Sequence, residues 1–362
     1  MLDYLEWRGD IPFSAMPLNE VDNLIFSTLV YLKMDGLIPP EGITVEELCR
    51  RCDQSGAEPS GLVNDPMPLL TAAAASKRFG EVVVMHFVNT VDAELQVQFA
   101  AVTYVYAEQQ AYVAFRGTDN SIVGWREDFN LSFQSETPGQ LQAAEYVTAI
   151  AQRFSGELIV GGHSKGGNFA VYGAAFCDPS VRERIVRVYS NDGPGFNRAA
   201  ASSPEYAAIL SKTVKIIPEA STVGILLSSR IRRKVIRSTA KGTMQHDPYS
   251  WCVRGAVFEE ADERSTSSLF MDSALNNWVS TLSDDELKVF VNTIFEVLEA
   301  TGADTLKEIS DNKFAAYNAI IKAAAGIDPQ AMGVFMHSIR KLLASGKDAA
   351  VTETKKSLDW RH

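Results

Sequence analysis

The spacing of apolar residues changes along the chain and divides it into parts. Over residues 1–80, apolar positions such as Leu24, Ile25 and Leu29 recur at helical spacing. Residues 81–270 instead contain strand-length runs of β-branched and aromatic residues that alternate with helical stretches. This alternation predicts an α/β core built on a mostly parallel sheet with helices on both faces.

The carboxyl-terminal part of the chain returns to helical spacing. Residues 271–350 include a helix that begins at a Ser283 cap and has acidic residues in its first turn. The last stretch, residues 351–362, is expected to form a flexible tail. We predict that both outer helical parts pack on the α/β core within a single domain.

Composition and charge narrow the classes of function. The chain has 362 residues, of which 46% are hydrophobic and 22% charged, which is typical of a globular protein. Its formal net charge is −11, so a general nucleic-acid binder is not expected. No apolar run is long enough to span a membrane, and the acidic beginning of the chain does not resemble a secretion signal. The four cysteines do not suggest a disulfide framework. We therefore expect a cytoplasmic protein, whose oligomeric state the sequence leaves open.

The most informative motif is Gly162-His163-Ser164-Lys165-Gly166, which fits G-x-S-x-G. It follows a short apolar run and opens a helical stretch, which is the strand–turn–helix setting of a nucleophile elbow. The first N–H groups of the helix can stabilise an oxyanion there. The alternative is a tight connection between strand and helix that happens to contain a serine.

A nucleophilic serine needs a base, and the chain has five histidines. In the α/β-hydrolase order the base follows the nucleophile, which disfavours His86. His163 adjoins the serine and is expected to pack, His337 falls within a predicted helix, and His362 is the terminal residue. His246 lies in a loop after the last strands and is the expected base.

Two carboxylates are candidates for orienting His246. Asp192 lies just past the end of one predicted strand, and Glu219 lies just past the end of the next. Parallel strands bring such residues to the same sheet edge, where either could hold the histidine tautomer. We prefer Asp192 and keep Glu219 as the alternative. Asp192 could instead be a turn residue that bonds its own backbone.

Two segments resemble the class 3 lipase branch of the α/β-hydrolases. The first is VAFRGTDNSIVGWREDFNLSF, in which the residues similar to that family's pattern are Arg116, Gly117, Thr118, Trp125 and Asp128. The second is IVGGHSKGGNFA, which contains the elbow. The resemblance implies the α/β-hydrolase fold and oxyanion donors from the backbone N–H groups of Thr118 and Lys165, with the Thr118 hydroxyl as a further donor.

Nearly the whole chain also resembles a bacterial family of unknown function within this branch, through YLEWRGDIPF, NDGPGF, QHDPYSW and LSDDELKVFVNTIFEVLEATGADTL. That resemblance implies no defined substrate. Class 3 lipases usually place their acid in a D-x-V-P segment, and this chain has Ser221 at that position. Lys165 is also unusual after the serine. Its side chain is expected to run along the helix into solvent, or alternatively to meet an acidic substrate group.

These observations predict a serine hydrolase, similar to lipases and esterases, in which Ser164 attacks an acyl carbonyl. The expected partner is a small-molecule or lipid ester. No cofactor or metal is expected, because Cys49-x-x-Cys52 lacks further ligands and no dinucleotide fingerprint is present. The alternative is a catalytically weak protein of hydrolase fold that binds a ligand or regulates a partner.

Overall fold

A computed structural model describes residues 1–61, 63–119, 121–311 and 313–359. Its strands are β1 (Ile43–Thr44), β2 (Val83–Asp92), β3 (Val97–Ala107), β4 (Gln110–Phe115), β5 (Glu157–His163), β6 (Ile185–Asn191), β7 (Thr213–Pro218), β8 (Arg233–Ile236), β9 (Val253–Arg254) and β10 (Val257–Phe258). Its helices are α1 (Leu2–Arg8), α2 (Glu20–Leu29), α3 (Val45–Ser55), α4 (Met67–Ala75), α5 (Ile122–Asn130), α6 (Pro138–Arg153), α7 (Lys165–Phe176), α8 (Pro179–Arg184), α9 (Arg198–Ala201), α10 (Pro204–Ile209), α11 (Thr266–Ser280), α12 (Asp284–Glu299), α13 (Leu306–Asp311), α14 (Lys313–Gly326) and α15 (Pro329–Asp359).

Strands β1 to β8 form one sheet in which the spatial order follows the chain order. The neighbours from β1 to β4 pair antiparallel, and those from β4 to β8 pair parallel. With helices packed on it, this sheet has the α/β-hydrolase fold, so the predicted fold class is confirmed. Because β4, β5, β6 and β7 run in the same direction, the loops that follow them meet at one edge of the sheet.

Apolar clusters cover both faces of the sheet. On one face, α2, α3 and α4 bury side chains such as Leu24, Phe26 and Leu69. On the other face, α6, α7 and α10 bury a second cluster that includes Val147 and Phe169. The strands between the clusters are nearly continuous in apolar residues, as expected for strands covered on both sides.

The carboxyl-terminal helices form a third apolar cluster with α5, which includes Ile122, Phe290 and Phe295. Ser283 caps α12 with a reciprocal bond to Glu286, as the sequence indicated. None of the described helices is long and apolar enough to cross a membrane.

Helix α15 continues to Asp359, and a flexible tail over residues 351–362 stays a prediction. Residues 351–359 contain no proline or glycine that would end a helix. Residues 360–362, including His362, lie outside the described part of the chain.

Candidate active site

Ser164 occupies the sharp turn between β5 and α7. Its backbone has φ 58° and ψ −133°, a conformation that is strained for a residue with a side chain. A Cβ on Gly162 would lie 2.3 Å from the Gly166 carbonyl oxygen, and a Cβ on Gly166 would lie 2.1 Å from the Phe115 carbonyl oxygen. Only glycine fits at these two positions, so the motif has the local geometry of a nucleophile elbow.

His246 and Asp192 meet at the same edge of the sheet. The Nδ1 atom of His246 donates to Oδ2 of Asp192 at 2.7 Å. The carboxylate is fully buried, whereas the His246 side chain is 19% exposed. Because Nδ1 carries the proton in this bond, Nε2 keeps its lone pair and can accept a proton.

The other oxygen of the Asp192 carboxylate is held by two donors. The hydroxyl of Ser221 donates to Oδ1 at 2.5 Å, and the amide of Gly224 donates to it at 3.1 Å. Burial raises the pKa of Asp192, but the bonds from His246 and Ser221 outweigh burial and leave that pKa below its ordinary value. The carboxylate therefore stays charged beside the histidine.

Glu219, the alternative acid, faces a different partner. Its Oε1 accepts from the side-chain amide of Gln245 at 3.5 Å, and the contact of His246 is with Asp192 instead. The sequence identified Ser221 only as the position where the acid of class 3 lipases is missing. In the structure the Ser221 hydroxyl supports the carboxylate that comes from the preceding strand, β6.

His163 is buried beneath the site and packs there, as the sequence predicted. Its Nε2 lies 2.8 Å from the carbonyl oxygen of His246, and since that oxygen can only accept, Nε2 carries the proton. The remaining nitrogen, Nδ1, then accepts from the Tyr31 hydroxyl at 3.1 Å. Burial is the main cause that lowers the pKa of His163 to about 3, so this ring stays neutral. Its hydrogen bond to the His246 carbonyl oxygen helps to hold the His246 loop in place.

Tyr31 is a residue of the site that sequence reasoning missed. Its hydroxyl also accepts from the amide of Gly117 at 3.1 Å, so it joins the elbow to the segment that follows β4. A Cβ on Gly117 would lie 2.9 Å from the Cβ of Ser164, which places this segment directly against the serine. Within the amino-terminal helical pattern, no local feature distinguishes this tyrosine from a core residue.

Thr118 is buried next to Gly117, and its hydroxyl donates to Oδ2 of Asp128 at 2.5 Å. Burial raises the pKa of Asp128 to about 6, against the opposing charge of Lys165 and the bond from Thr118. The second oxygen of Asp128, Oδ1, is buried and has no hydrogen-bond partner among the described residues. Asp128 thus fixes the Thr118 side chain beside the serine.

The prediction for the Lys165 side chain was wrong. Lys165 does not reach solvent but is 1% exposed, and its ammonium lies 2.9 Å from Oε2 of the buried Glu127. It also donates to the carbonyl oxygen of Gln98 at 3.1 Å. The sequence could not reveal this pairing because Glu127 lies on α5, 38 residues earlier in the chain. Because it is buried and paired, the ammonium is also not exposed to meet an acidic substrate group.

Of the remaining histidines, His86 and His337 belong to other elements than the elbow, and His362 lies outside the described part of the chain. His86 belongs to β2 and has φ 54° at a register shift of that strand. His337 is exposed on α15, 3.8 Å from a Glu286 carboxylate oxygen. Cys49 and Cys52 are free thiols on α3. Within the described residues, no group of His, Cys, Asp and Glu has the arrangement to hold a metal ion.

Comparisons with known proteins identify a family and several solved structures to which the chain is similar. The Mbeg1-like family model matches residues 73–296, a span that includes β2 to β8 and all six predicted site residues. A search of curated proteins finds no match. Among solved structures, the Rhizomucor miehei lipase propeptide complex is 17% identical, with a TM-score of 0.37, over 60% of this chain and 68% of that chain. The nonglycosylated LIP2 lipase of Yarrowia lipolytica is 13% identical, with a TM-score of 0.36, over 60% of this chain and 78% of that chain.

Proposed function

The chain belongs to the Mbeg1-like family of lipase-like α/β-hydrolases, and from this membership and the geometry around Ser164 we propose that it is a serine hydrolase. Its substrates are carboxylic esters or related acyl compounds, either small molecules or lipids. The observation that carries the proposal is the bond between His246 and Asp192 at the sheet edge that also bears Ser164. A cytoplasmic location stays a prediction.

In the proposed mechanism, Nε2 of His246 takes the proton of Ser164 as Oγ attacks the acyl carbonyl. Asp192 keeps the proton of the ring on Nδ1 and stabilises the imidazolium that forms. The leaving group receives the proton from His246 and departs. Water then attacks the acyl-enzyme by the same route and releases the acid.

The proposed oxyanion donors are the backbone N–H groups of Thr118 and Lys165. The Lys165 amide is the first of α7, and the first N–H groups of a helix have no acceptor within it. The Thr118 segment lies against Ser164 through Gly117. One such donor typically contributes about 3 kcal/mol to the transition state. The hydroxyl of Thr118 has a single proton, which the bond to Asp128 occupies, so we assign it to positioning.

The alternative, a protein of hydrolase fold that binds or regulates, drew its support from the uncertain acid. The contact between Asp192 and His246 supports the hydrolase over this alternative. The two hypotheses differ in whether Ser164 is activated, because an electrophilic probe reacts only with a serine whose proton a base can take.

The test is labelling with a fluorophosphonate probe, followed by intact mass and peptide mapping. We expect a single adduct at Ser164 in the wild type and none in Ser164→Ala. His246→Ala should slow the labelling by orders of magnitude while the protein remains folded. Folded wild-type protein without an adduct, with and without detergent, would favour the binding function.

A further inference from the structure

We propose that α5 is a fixed wall of the active site rather than a lid, and that the enzyme therefore acts on esters dissolved singly in water without needing a lipid surface. This inference rests on the proposed function, because it concerns the substrate of the same serine. Helix α5 begins four residues after Thr118 and carries Asp128, which holds the Thr118 hydroxyl. A movement of α5 would therefore move the oxyanion segment.

The inner side of α5 is clamped by Glu127, which is fully buried. Its Oε2 accepts from the Lys165 ammonium at 2.9 Å and from the Gln98 amide at 3.1 Å. Its Oε1 accepts from the amide of Gly139 at 2.8 Å. One carboxylate thus joins α5 to β3, to the first turn of α6 and to the residue that follows the nucleophile.

Opening α5 as a lid would break all of these bonds together. The ammonium of Lys165 and the carboxylate of Glu127 are both removed from water, so separating them leaves a buried charge without its partner. Two backbone amides would lose their acceptor at the same time. A segment that opens during turnover is instead expected to have few buried contacts and exposed hydrogen bonds.

The outer side of α5 is also covered. Arg126 pairs with Glu299 of α12 at 2.5 Å, and the Phe129 ring packs against the Phe295 ring with their centroids 5.7 Å apart. Helix α5 is therefore held between the core and the carboxyl-terminal helices. Its displacement would require those helices to separate from it as well.

Both residues of the proposed serine–histidine pair are partly exposed with α5 in this position. Ser164 is half-buried rather than enclosed, and the His246 side chain is 19% exposed. A dissolved ester can therefore approach the serine while the oxyanion segment is already in place. With α5 already in place, opening of this helix is not a step that contact with a lipid aggregate could accelerate.

The experiment measures hydrolysis of a short-chain p-nitrophenyl ester below and above its solubility limit, together with the rate of fluorophosphonate labelling with and without detergent micelles. For the wild type we expect a rate that saturates below the limit and passes through it without an upward break. We also expect micelles to change the labelling rate by less than twofold.

Glu127→Gln provides the contrasting variant, because it leaves the Lys165 charge without its partner at almost unchanged volume. We expect kcat on the dissolved ester to fall at least tenfold while KM changes less, and micelles to stimulate the labelling at least fivefold. Asp22→Asn is the matched control, since it disrupts another fully buried pair, with Arg78, on the amino-terminal helices. It should lower the melting temperature without changing kcat or the response to micelles.

An upward break in the wild-type rate at the solubility limit, or labelling that requires micelles, would overturn the fixed wall and leave the serine hydrolase intact. A folded Glu127→Gln variant with wild-type kcat and no response to micelles would also overturn it. If folded wild type shows neither hydrolysis nor labelling under any of these conditions, the proposed function fails first, and this inference fails with it.

Discussion

Replacing Asp192 by asparagine changes one atom of the proposed triad and predicts a large loss of activity. The Oδ1 of Asp192 accepts from Ser221 and Gly224, while Oδ2 accepts from His246. An asparagine has only one oxygen, and two donors already face the Oδ1 position. The amide oxygen is therefore expected there, which leaves the NH₂ group pointing at His246.

This orientation determines the size of the effect. An NH₂ group can only donate, so Nδ1 of His246 must become an acceptor and its proton must move to Nε2. In that tautomer the imidazole cannot take the proton of Ser164. The same exchange in a serine-protease triad lowers kcat about 10⁴-fold, which corresponds to about 5.5 kcal/mol in the activation free energy. We expect a loss of this order for Asp192→Asn.

The assay is hydrolysis of a p-nitrophenyl ester at pH 8, with fluorophosphonate labelling as a second readout. Glu219→Gln is the matched control, because it makes the same chemical change at the other candidate carboxylate, which bonds Gln245. Its kcat should stay within about threefold of the wild type. A folded Asp192→Asn variant with more than a tenth of the wild-type kcat, or a larger loss in Glu219→Gln, would refute the assignment.

Three further predictions concern stability. Ser164→Gly should be about 1 kcal/mol more stable in denaturant unfolding than Ser164→Ala, because φ 58° strains alanine and not glycine; equal stabilities would contradict the strained elbow. Asp128→Asn should raise the free energy of unfolding by up to about 3 kcal/mol at pH 8, because the buried carboxyl, with a pKa near 6, is charged there and burial of the charge destabilises the fold. This gain should fade as the pH falls from 6 toward 4, because the wild-type carboxyl then becomes neutral in the folded protein. The buried His163 has a pKa near 3, and unfolding lets it take up a proton, so the wild type should lose on the order of 4 kcal/mol as the pH falls from about 6.5 toward 3. In His163→Gln that part of the pH dependence should be absent from thermal melts measured over the same range.

The elements and the elbow could be predicted because they depend on local pattern. The strands β2 to β7 are runs of apolar and β-branched residues bounded by polar turns, and this composition suits strands that are covered on both faces. The requirement for Gly162 lies within five residues of chain, because a Cβ there would meet the Gly166 carbonyl oxygen. Such requirements are visible in the order of residues alone.

The choice between acids depended on loops that the sequence does not place. Asp192 and Glu219 both follow parallel strands, so both reach the correct edge. The loop that carries His246 brings the imidazole to Asp192, while Gln245 turns to Glu219. The two residues that make these different contacts, Gln245 and His246, are neighbours in the loop. The sequence does not predict which of them faces which carboxylate, because no periodic pattern specifies the conformation of an irregular segment.

The sequence by itself determined the order of strands and helices, the strained turn at Ser164 and the set of polar residues at one sheet edge, because these depend on local spacing and on strand direction. Only the tertiary structure decided which of those residues touch. It buried Lys165 against Glu127 and brought Tyr31 from the amino-terminal helices under the elbow. Contacts between residues far apart in the chain depend on how whole layers pack, and most polar groups that become buried then pair with one another.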